Sequence, residues 1–445
     1  MRRRQFFGAA MASGAAAALL TTKEASAQEA SARAARGMPS PKIRDVSVIE
    51  CAPQGVRLTV VKITTDQAGL YGYGCATYTQ RADLVKPAVE KYIRPFLIGK
   101  PADRIEDTWQ MAYDSSYWKN GPVENNAISG VDQALWDIKG RMAGMPVYQL
   151  LGGKCREACA TYTSVGGGEI SQVIEAAQRA MSQGYLYVRL QIGVPGMAAY
   201  GSGGGAAATK IKALHERPVF ESGPYIRRAV KMLHESRKAL GDDVELLHDV
   251  HERVSPREAV QMAKDVEDVK LFYLEDVLSP EDIAYFRQIR QQCTTALSMG
   301  ELFNSPHEWM PLISERLIDY IRVHISQAGG LTPCRKIAIL GELYGVKTAW
   351  HGPGDVSPIG HACNLHLGLA SHNFGVTEGG IIRGREAEIF KGNATFKDGY
   401  LWASDAPGWG IEVDEKLAKT MPFRESPLNG GWSDVRRMDG TVIKQ

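Results

Sequence analysis

The sequence predicts an α/β fold in which a (β/α)8-type barrel follows a smaller N-terminal α+β domain. Eight apolar segments of strand length occur after residue 156, and amphipathic helical segments separate most of them. Parallel strands require such helical crossovers, and eight strand–helix units are enough to close a barrel. A third observation is that acidic residues recur at one fixed interval along this region. An open, doubly wound sheet is the alternative that the same alternation allows.

The first 27 residues predict an export signal rather than part of the fold. Arg3 and Arg4 precede Gln5-Phe6-Phe7, an apolar run of small residues follows, and residues 25–27 (ASA) offer a cleavage site. The paired arginines fit the twin-arginine type of signal, which predicts a periplasmic protein. The apolar run is too short for a membrane span. Residues 28–41, rich in Ala, Ser and Arg, form a predicted linker.

Composition and charge are those of an ordinary globular protein. The chain has 445 residues, of which 44% are hydrophobic and 23% charged, with a net charge of +2. No run of like charges follows the first few residues, which argues against nucleic-acid binding. The seven cysteines are scattered and form no CxxC pair, so we expect free, mostly buried thiols and no zinc ribbon.

Residues 42–155 are predicted to form the α+β domain. Three segments, 42–54, 57–66 and 71–78, have the alternation of strands and are separated by turn residues. Helical spacing follows, most clearly in residues 126–144. The apolar residues on one face of that helix are Ile128, Val131, Ala134, Leu135 and Ile138.

Residues 156–400 are predicted to form the barrel, and residues 401–445 to pack back on the N-terminal domain. Each predicted strand is a short apolar run, and most are followed by a helical segment. The predicted strands are 159–165, 185–193, 244–251, 271–277, 296–302, 319–325, 346–352 and 374–379.

Three acids end the third, fourth and fifth predicted strands. They are Asp249, Glu275 and Glu301, at intervals of 275 − 249 = 26 and 301 − 275 = 26 residues. Because one interval is one strand–helix unit, the three carboxylates should line one mouth of the barrel. Buried together, they would hold protons unless a cation neutralised them, and oxygen ligands suit Mg2+. The alternative is three unrelated helix caps or surface acids.

The motifs in this order resemble those of the enolase superfamily. The segment VDQALWDIKGRMAGMPVYQLLGG before the barrel carries this resemblance together with the three acids. YVRLQIGVPG, LLHDVHER, GELFN, QAGGLTP, HGPGDVSP and APGWGIEVDE further resemble the mannonate dehydratase subgroup, over residues 42–445. The resemblance implies a capping role for the N-terminal domain, Mg2+ on the three acids, and a homo-oligomer. It also implies dehydration of a small sugar acid, such as D-mannonate or D-gluconate, to a 2-keto-3-deoxy acid.

The resemblance also implies roles for individual residues. Tyr200 is the expected base, and Arg189 is expected to lower its pKa. His251 is expected to protonate the hydroxyl that leaves. The residues expected to bind substrate are His351, Glu378, Asp355, Arg322 and Trp409.

Departures from related families leave two other functions open. The second strand reads YVRLQ and has no Lys-x-Lys, which excludes the lysine base of muconate cycloisomerases and mandelate racemases. A racemase or epimerase could still use His351 against Tyr200, although related racemases pair that histidine with an acid on strand six, where this chain has Gln327. Ser164, and Thr79 or Gln80, stand where the dehydratases carry histidine and asparagine. These changes also allow a catalytically weak binding or sensing homologue.

Overall fold

The computed structural model describes residues 40–194, 213–423 and 435–443. In it, the N-terminal domain lies against the carboxyl end of a closed barrel. Its three antiparallel strands are β1 (Ile43–Cys51), β2 (Leu58–Thr65) and β3 (Tyr71–Cys75), close to their predicted positions. Its helices are α1 (Ala82–Pro87), α2 (Arg94–Leu97), α3 (Ile105–Tyr113), α4 (Pro122–Ala143) and α5 (Val147–Leu150), and a π-helical segment (Ala88–Ile93) joins α1 to α2.

Helix α4 is buried on most of its circumference because it lies between the three-stranded sheet and the barrel. Glycines permit its close approach to β3. A Cβ atom at Gly74 would lie 1.9 Å from the carbonyl oxygen of Gly130, and one at Gly72 would lie 2.2 Å from that of Ala134. The glycines of the YGYG segment therefore set the distance between sheet and helix.

Replacing Gly74 with alanine should lower the free energy of unfolding by about 3 kcal/mol, because backbone atoms on both sides must move apart. Urea denaturation followed by circular dichroism would measure this change. Gly223→Ala is the matched control, since its Cβ would meet only the flexible tip of Arg227 at 3.3 Å. Equal stability of the two variants would contradict the packing argument.

Eight parallel strands close the barrel, as predicted. Each pairs with its neighbour in chain order, and the last pairs back to the first, Thr377 with Thr161 and Glu378 with Tyr162. The open-sheet alternative is therefore wrong. The strands are β4 (Cys159–Gly167), β5 (Tyr187–Ile192), β6 (Glu245–Asp249), β7 (Tyr273–Glu275), β8 (Leu297–Met299), β9 (Tyr320–Ile321), β10 (Lys347–Trp350) and β11 (Phe374–Glu378).

A helical segment follows every barrel strand and covers the outside of the barrel. In the described residues these helices are α6 (Ile170–Ser182), α7 (Ser222–Leu240), α8 (Pro256–Asp265), α9 (Phe286–Arg290), α10 (Pro306–Ser314), α11 (Leu331–Tyr344), α12 (Pro358–Ala370) and α13 (Gly384–Ile389). Short 3-10 segments are Thr79–Arg81, Glu267–Val269 and Pro280–Tyr285. Within the described ranges, none of the helices combines the length and apolarity that crossing a bilayer requires.

Two buried carboxylates of α4 join the domains. Asp132 accepts hydrogen bonds from the amide (3.0 Å) and hydroxyl (2.5 Å) of Thr332, at the start of α11 in the barrel. Asp137 accepts from the amides of Tyr73 and Trp409, both at 2.9 Å. Burial raises the pKa of Asp132 to about 7 and that of Asp137 to about 6. One helix therefore ties together the sheet, the barrel and the C-terminal segment.

The C-terminal segment contacts both domains. The hairpin of β13 (Thr395–Lys397) and β14 (Tyr400–Trp402) pairs with β4, and β15 (Glu412–Val413) pairs with β12 (Phe390–Lys391). Helix α14 (Glu415–Ala418) lies against the N-terminal domain, where Glu415 bonds Lys62 at 2.5 Å. Residues 435–443 differ from the prediction. They pack on barrel residues 214–220, with the amide of Phe220 2.9 Å from the carbonyl of Arg436.

The cysteines are all free, and every one except Cys155 is buried.

Candidate active site

A cavity of about 380 Å³ opens at the carboxyl end of the barrel strands. Its buried floor contains Arg189, Asp249, Glu301, His351 and Glu378, which come from the second, third, fifth, seventh and eighth strands or the turns that follow them. Its walls and rim are formed by Tyr162, Thr163, Ser164, Tyr185, Pro353, Gly379, Ile381 and Arg383. Active sites of barrels of this type lie at this end, where several strands can each contribute a side chain.

Two buried arginines hold the carboxylates of the floor together. Arg189 donates to Ser164 Oγ (2.9 Å) and Glu275 Oε1 (2.9 Å), and it lies 3.4 Å from Asp249 and 3.0 Å from Glu378. Arg322, fully buried, lies 3.2 Å from Glu275, 2.5 Å from Glu301 Oε2 and in contact with Glu378. Burying these charges is tolerable because each guanidinium has more than one carboxylate partner.

The three predicted metal ligands lie at neighbouring strand ends, as their spacing requires. Asp249 and Glu275 are register partners, and Glu301 follows the next strand by two residues. Asp249 Oδ1 and Glu275 Oε2 are buried without a hydrogen-bond partner, although the other oxygen of each bonds an arginine. A divalent cation would satisfy these two oxygens, and carboxylate oxygens are ligands that suit Mg2+.

A second set of acids lies beside the first and shares one member with it. The carboxylate oxygens of Glu252, Asp276 and Glu301 all lie within 4.8 Å of one another. Burial raises the pKa of Glu252 and Asp276 well above the usual range. Burial also acts to raise the pKa of Glu301, but His351, His251 and Arg322 together hold it well below its ordinary value. Glu301 is the acid common to both sets.

His251 lies between two of these acids, Glu252 and Glu301. Its Nδ1 is 3.3 Å from Glu252 Oε2, and its Nε2 is 3.4 Å from Glu301 Oε1. His251, Glu252 and Asp276 have φ values of 58°, 55° and 42°. Non-glycine residues in this left-handed region cost about 1–3 kcal/mol each and concentrate at functional sites. The strained turns bring the three side chains inward at the ends of two adjacent strands.

His351 has a histidine as its neighbour on strand six. His324 forms a β-bridge with His351, and their ring centroids are 5.0 Å apart. The amides of Ser326 and Gln327 donate to His324 Nδ1 (3.1 and 3.4 Å), which leaves the proton on Nε2. That proton disfavours a metal bond at Nε2, although His324, His351 and Asp355 are close enough to form a metal-binding set. Burial lowers the pKa of His324 to about 4 and that of His351 well below 6.5.

The other predicted site residues have different outcomes. Glu378 and Arg322 are in the floor cluster, and Asp355 lies 4.0 Å from His324 Nε2. Trp409 is not at the cavity, so the prediction that it binds substrate is not supported. Its indole nitrogen donates to the carbonyls of Tyr73 (3.0 Å) and Gln133 (3.1 Å) in the N-terminal domain. Tyr200 lies outside the described residues, and its role as base stays a prediction.

Several cavity residues were missed by the sequence interpretation. The hydroxyl of Tyr162 accepts from Arg322 at 3.0 Å, and burial raises the pKa of that phenol well above 10. Tyr185 and Arg383 line the rim. His324 follows Arg322 by two residues, and strand alternation was the signal that could have placed both on one face.

Both domains match known family models. Residues 39–152 match the mandelate racemase / muconate lactonizing enzyme N-terminal domain, and residues 172–417 match the enolase C-terminal domain-like model.

Curated relatives match nearly the whole chain. A D-galactonate dehydratase family member of Musicola paradisiaca (strain Ech703) is 46% identical over 417 residues, covering 91% of this chain and 99% of the relative. The D-galactonate dehydratase family member RspA of Pantoea ananatis (strain LMG 20103) is 47% identical over 411 residues, covering 90% and 98%. Among solved structures, an enolase from Pantoea ananatis with bound D-gluconate and Mg has a TM-score of 0.86 and 44% identity, covering 91% of this chain and 100% of that chain.

Proposed function

The chain belongs to the enolase superfamily, in its mandelate racemase / muconate lactonizing enzyme branch and the D-galactonate dehydratase family, and on this premise we propose a Mg2+-dependent dehydratase of aldonates. Its general class is that of an acid sugar dehydratase, a lyase. The proposed substrates are D-mannonate and D-gluconate, and the proposed products are 2-keto-3-deoxy acids. The observation that carries the proposal is the floor of the cavity, where Asp249 and Glu275 share Arg189 and where His251 Nε2 lies 3.4 Å from Glu301 Oε1.

The reaction must remove a weakly acidic proton from the carbon next to a carboxylate. Mg2+ held by Asp249, Glu275 and Glu301 would neutralise the substrate carboxylate and stabilise the charge that develops there. Tyr200 is the proposed base for that proton. His251 donates a proton to the hydroxyl on the next carbon, which leaves as water. The resulting enol takes up a proton and becomes the 2-keto-3-deoxy acid.

The arginine cluster keeps this floor rigid during the reaction. Arg322 bonds Glu275, Glu301 and Glu378, so the carboxylates cannot turn away from the cavity without losing charged partners. The Nε2 atom of His351 lies 3.4 Å from Glu301 Oε2. This distance supports the proposal that His351 contacts a substrate bound next to Glu301.

The racemase alternative has less support. A histidine base of the kind that related racemases use is paired with an acid on strand six. Here the strand-six neighbour of His351 is His324, and the carboxylates near His351 Nε2 belong to Glu301 (3.4 Å) and Glu378 (3.9 Å), at the ends of strands five and eight. Solvent deuterium exchange next to the carboxylate, without loss of water, would restore this alternative.

The proposal is tested by incubating the purified protein and Mg2+ with a panel of aldonic acids. At least one acid should yield a keto acid, which chemical derivatisation detects, and a chelator should abolish the signal. Tyr200→Phe should reduce the rate by at least about a hundredfold, as for loss of a general base. Tight sugar-acid binding with neither turnover nor deuterium exchange would instead identify a binding or sensing protein.

Export to the periplasm is proposed from the N-terminal sequence alone. Arg3 and Arg4 precede an apolar run and a small-residue cleavage site. Fusing residues 1–41 to a reporter should send it across the membrane, and replacing both arginines with lysine should retain it inside the cell. Export of the lysine variant at an undiminished rate would contradict the twin-arginine assignment.

A homo-oligomer is also proposed. Tyr117 and Trp118 are 90% and 84% exposed, just beyond the end of α3. A largely apolar groove, which begins on α3 itself, is lined by Trp109, Trp309 and Leu340, among other residues. Adjacent apolar surface of this kind usually marks an interaction site. Light scattering should give a mass that is a multiple of the monomer, and a monomer at micromolar concentration would refute the proposal.

A further inference from the structure

The rim of the active-site cavity carries a positive charge that the floor does not neutralise. Arg383 lines the cavity and is exposed, whereas the other lining arginine, Arg189, is buried and paired with carboxylates. Within the described ranges, the guanidinium of Arg383 makes no hydrogen bond or ion pair with another residue. No side chain or backbone group among the described residues therefore competes with a ligand for its donors.

The position of Arg383 is fixed through its backbone. Its carbonyl accepts a 2.7 Å hydrogen bond from the side-chain amide of Gln54, which belongs to the N-terminal domain. Arg383 also immediately precedes helix α13, with an extended backbone (φ −140°, ψ 165°). The hydrogen bond from Gln54 and the start of helix α13 together fix the Cα atom of Arg383 at the mouth of the cavity.

The neighbours of Arg383 in the cavity are polar groups of the kind that bind sugar hydroxyls. Thr163 and Tyr185 line the same cavity and carry hydroxyl groups. Burial raises the pKa of the Tyr185 phenol, and the nearby positive charge of Arg383 acts to lower it. The cavity thus runs from a metal-binding floor, past hydroxyl groups, to an exposed guanidinium.

We propose that Arg383 binds a second anionic group of the substrate, so that the enzyme uses acid sugars with a negative charge at both ends better than singly charged aldonates such as D-mannonate and D-gluconate. This inference rests on the proposed dehydratase function, which places the reacting carboxylate at the floor. A guanidinium binds carboxylate and phosphate alike with two parallel hydrogen bonds. The second group is therefore a carboxylate, as in an aldarate, or a phosphate, as in a phosphorylated aldonate.

The test compares substrates that differ only at the far end. D-galactonate is paired with galactarate, and D-gluconate with 6-phospho-D-gluconate, each assayed for keto acid with wild-type enzyme and Arg383→Gln. In at least one pair the wild type should favour the dianion by about tenfold in kcat/KM, the size expected for a hydrogen bond between charged groups. Arg383→Gln should remove that preference, so that the dianion and the monoanion of the pair are used with similar kcat/KM. The pair that shows the preference identifies the anionic group.

Arg385→Gln is the matched control, because Arg385 is two residues away, exposed and paired with Glu388 at 2.8 Å. It should leave both preferences unchanged. Wild-type enzyme that uses neither dianion better than its monoanion would overturn the inference, as would an equal loss on both substrates in Arg383→Gln.

Calorimetric titration of the same pairs separates this inference from the proposed function. If no acid is dehydrated, the dehydratase proposal fails, but Arg383 can still be tested through binding. Tighter binding of a dianion that disappears in Arg383→Gln supports the second anion position, and equal binding of each pair refutes it.

Discussion

Replacing Glu275 with glutamine should lower kcat/KM by about a thousandfold or more, the effect expected when an electrostatic stabiliser of the transition state is removed. Glu275 is fully buried, and its Oε1 lies 2.9 Å from Arg189 and 3.2 Å from Arg322. Glutamine fills the same space but leaves two buried guanidiniums with one negative partner fewer. The unfolding free energy should therefore also fall, by about 3 kcal/mol.

Keto-acid formation and urea denaturation measure the two effects separately. Glu245→Gln is the control, because Glu245 begins the neighbouring strand β6, at the opposite end of the barrel, and is exposed. It should keep wild-type activity and stability. If Glu275→Gln retained a tenth of wild-type activity, Glu275 could not be a ligand of an essential cation.

Replacing His251 with asparagine should reduce dehydration by about 10² to 10⁴-fold, the range for loss of a general acid. Asparagine removes the ring that lies 3.3 Å from Glu252 and 3.4 Å from Glu301, and it has no proton to transfer at neutral pH. Asparagine also tolerates positive φ better than most residues, so the backbone at this position (φ 58°) should be preserved. The KM should change little, because His251 acts on the departing hydroxyl.

Deuterium exchange distinguishes this role from general damage to the site. If His251 supplies only the second proton, the variant should still exchange the hydrogen next to the carboxylate with solvent while it forms little keto acid. His372→Asn is the control, since the His372 side chain is 83% exposed. Loss of exchange together with dehydration would show that His251 is needed before the hydroxyl leaves.

The barrel could be predicted because its strands are short apolar runs buried on both faces, with helical segments between them. The 26-residue interval then placed Asp249, Glu275 and Glu301 at equivalent strand ends. Such spacing predicts how far along its strand a residue lies, but it does not predict which groups its side chain bonds. The pairing of these acids with Arg189 and Arg322 could therefore not be derived from it.

Other features had no usable signal in the sequence. No pattern predicts that Glu252 and Asp276 adopt positive φ, because such strained turns persist only when the surrounding packing enforces them. Trp409 was assigned from a motif, which does not say whether the ring lies in a cavity or in a buried joint. The position of Trp409 is set by Asp137, which lies 272 residues earlier in the chain and accepts a hydrogen bond from the Trp409 amide.

The joints made by Asp132 and Asp137 have a consequence for any attempt to exchange parts of this enzyme with those of relatives. Because α4 bonds the barrel through Thr332 and the C-terminal segment through Trp409, neither portion keeps its buried acceptors satisfied when expressed alone. We expect heat to melt the chain in one cooperative step. A chimera that imports a foreign N-terminal portion should be soluble only if both aspartates and their bonding partners are transplanted together.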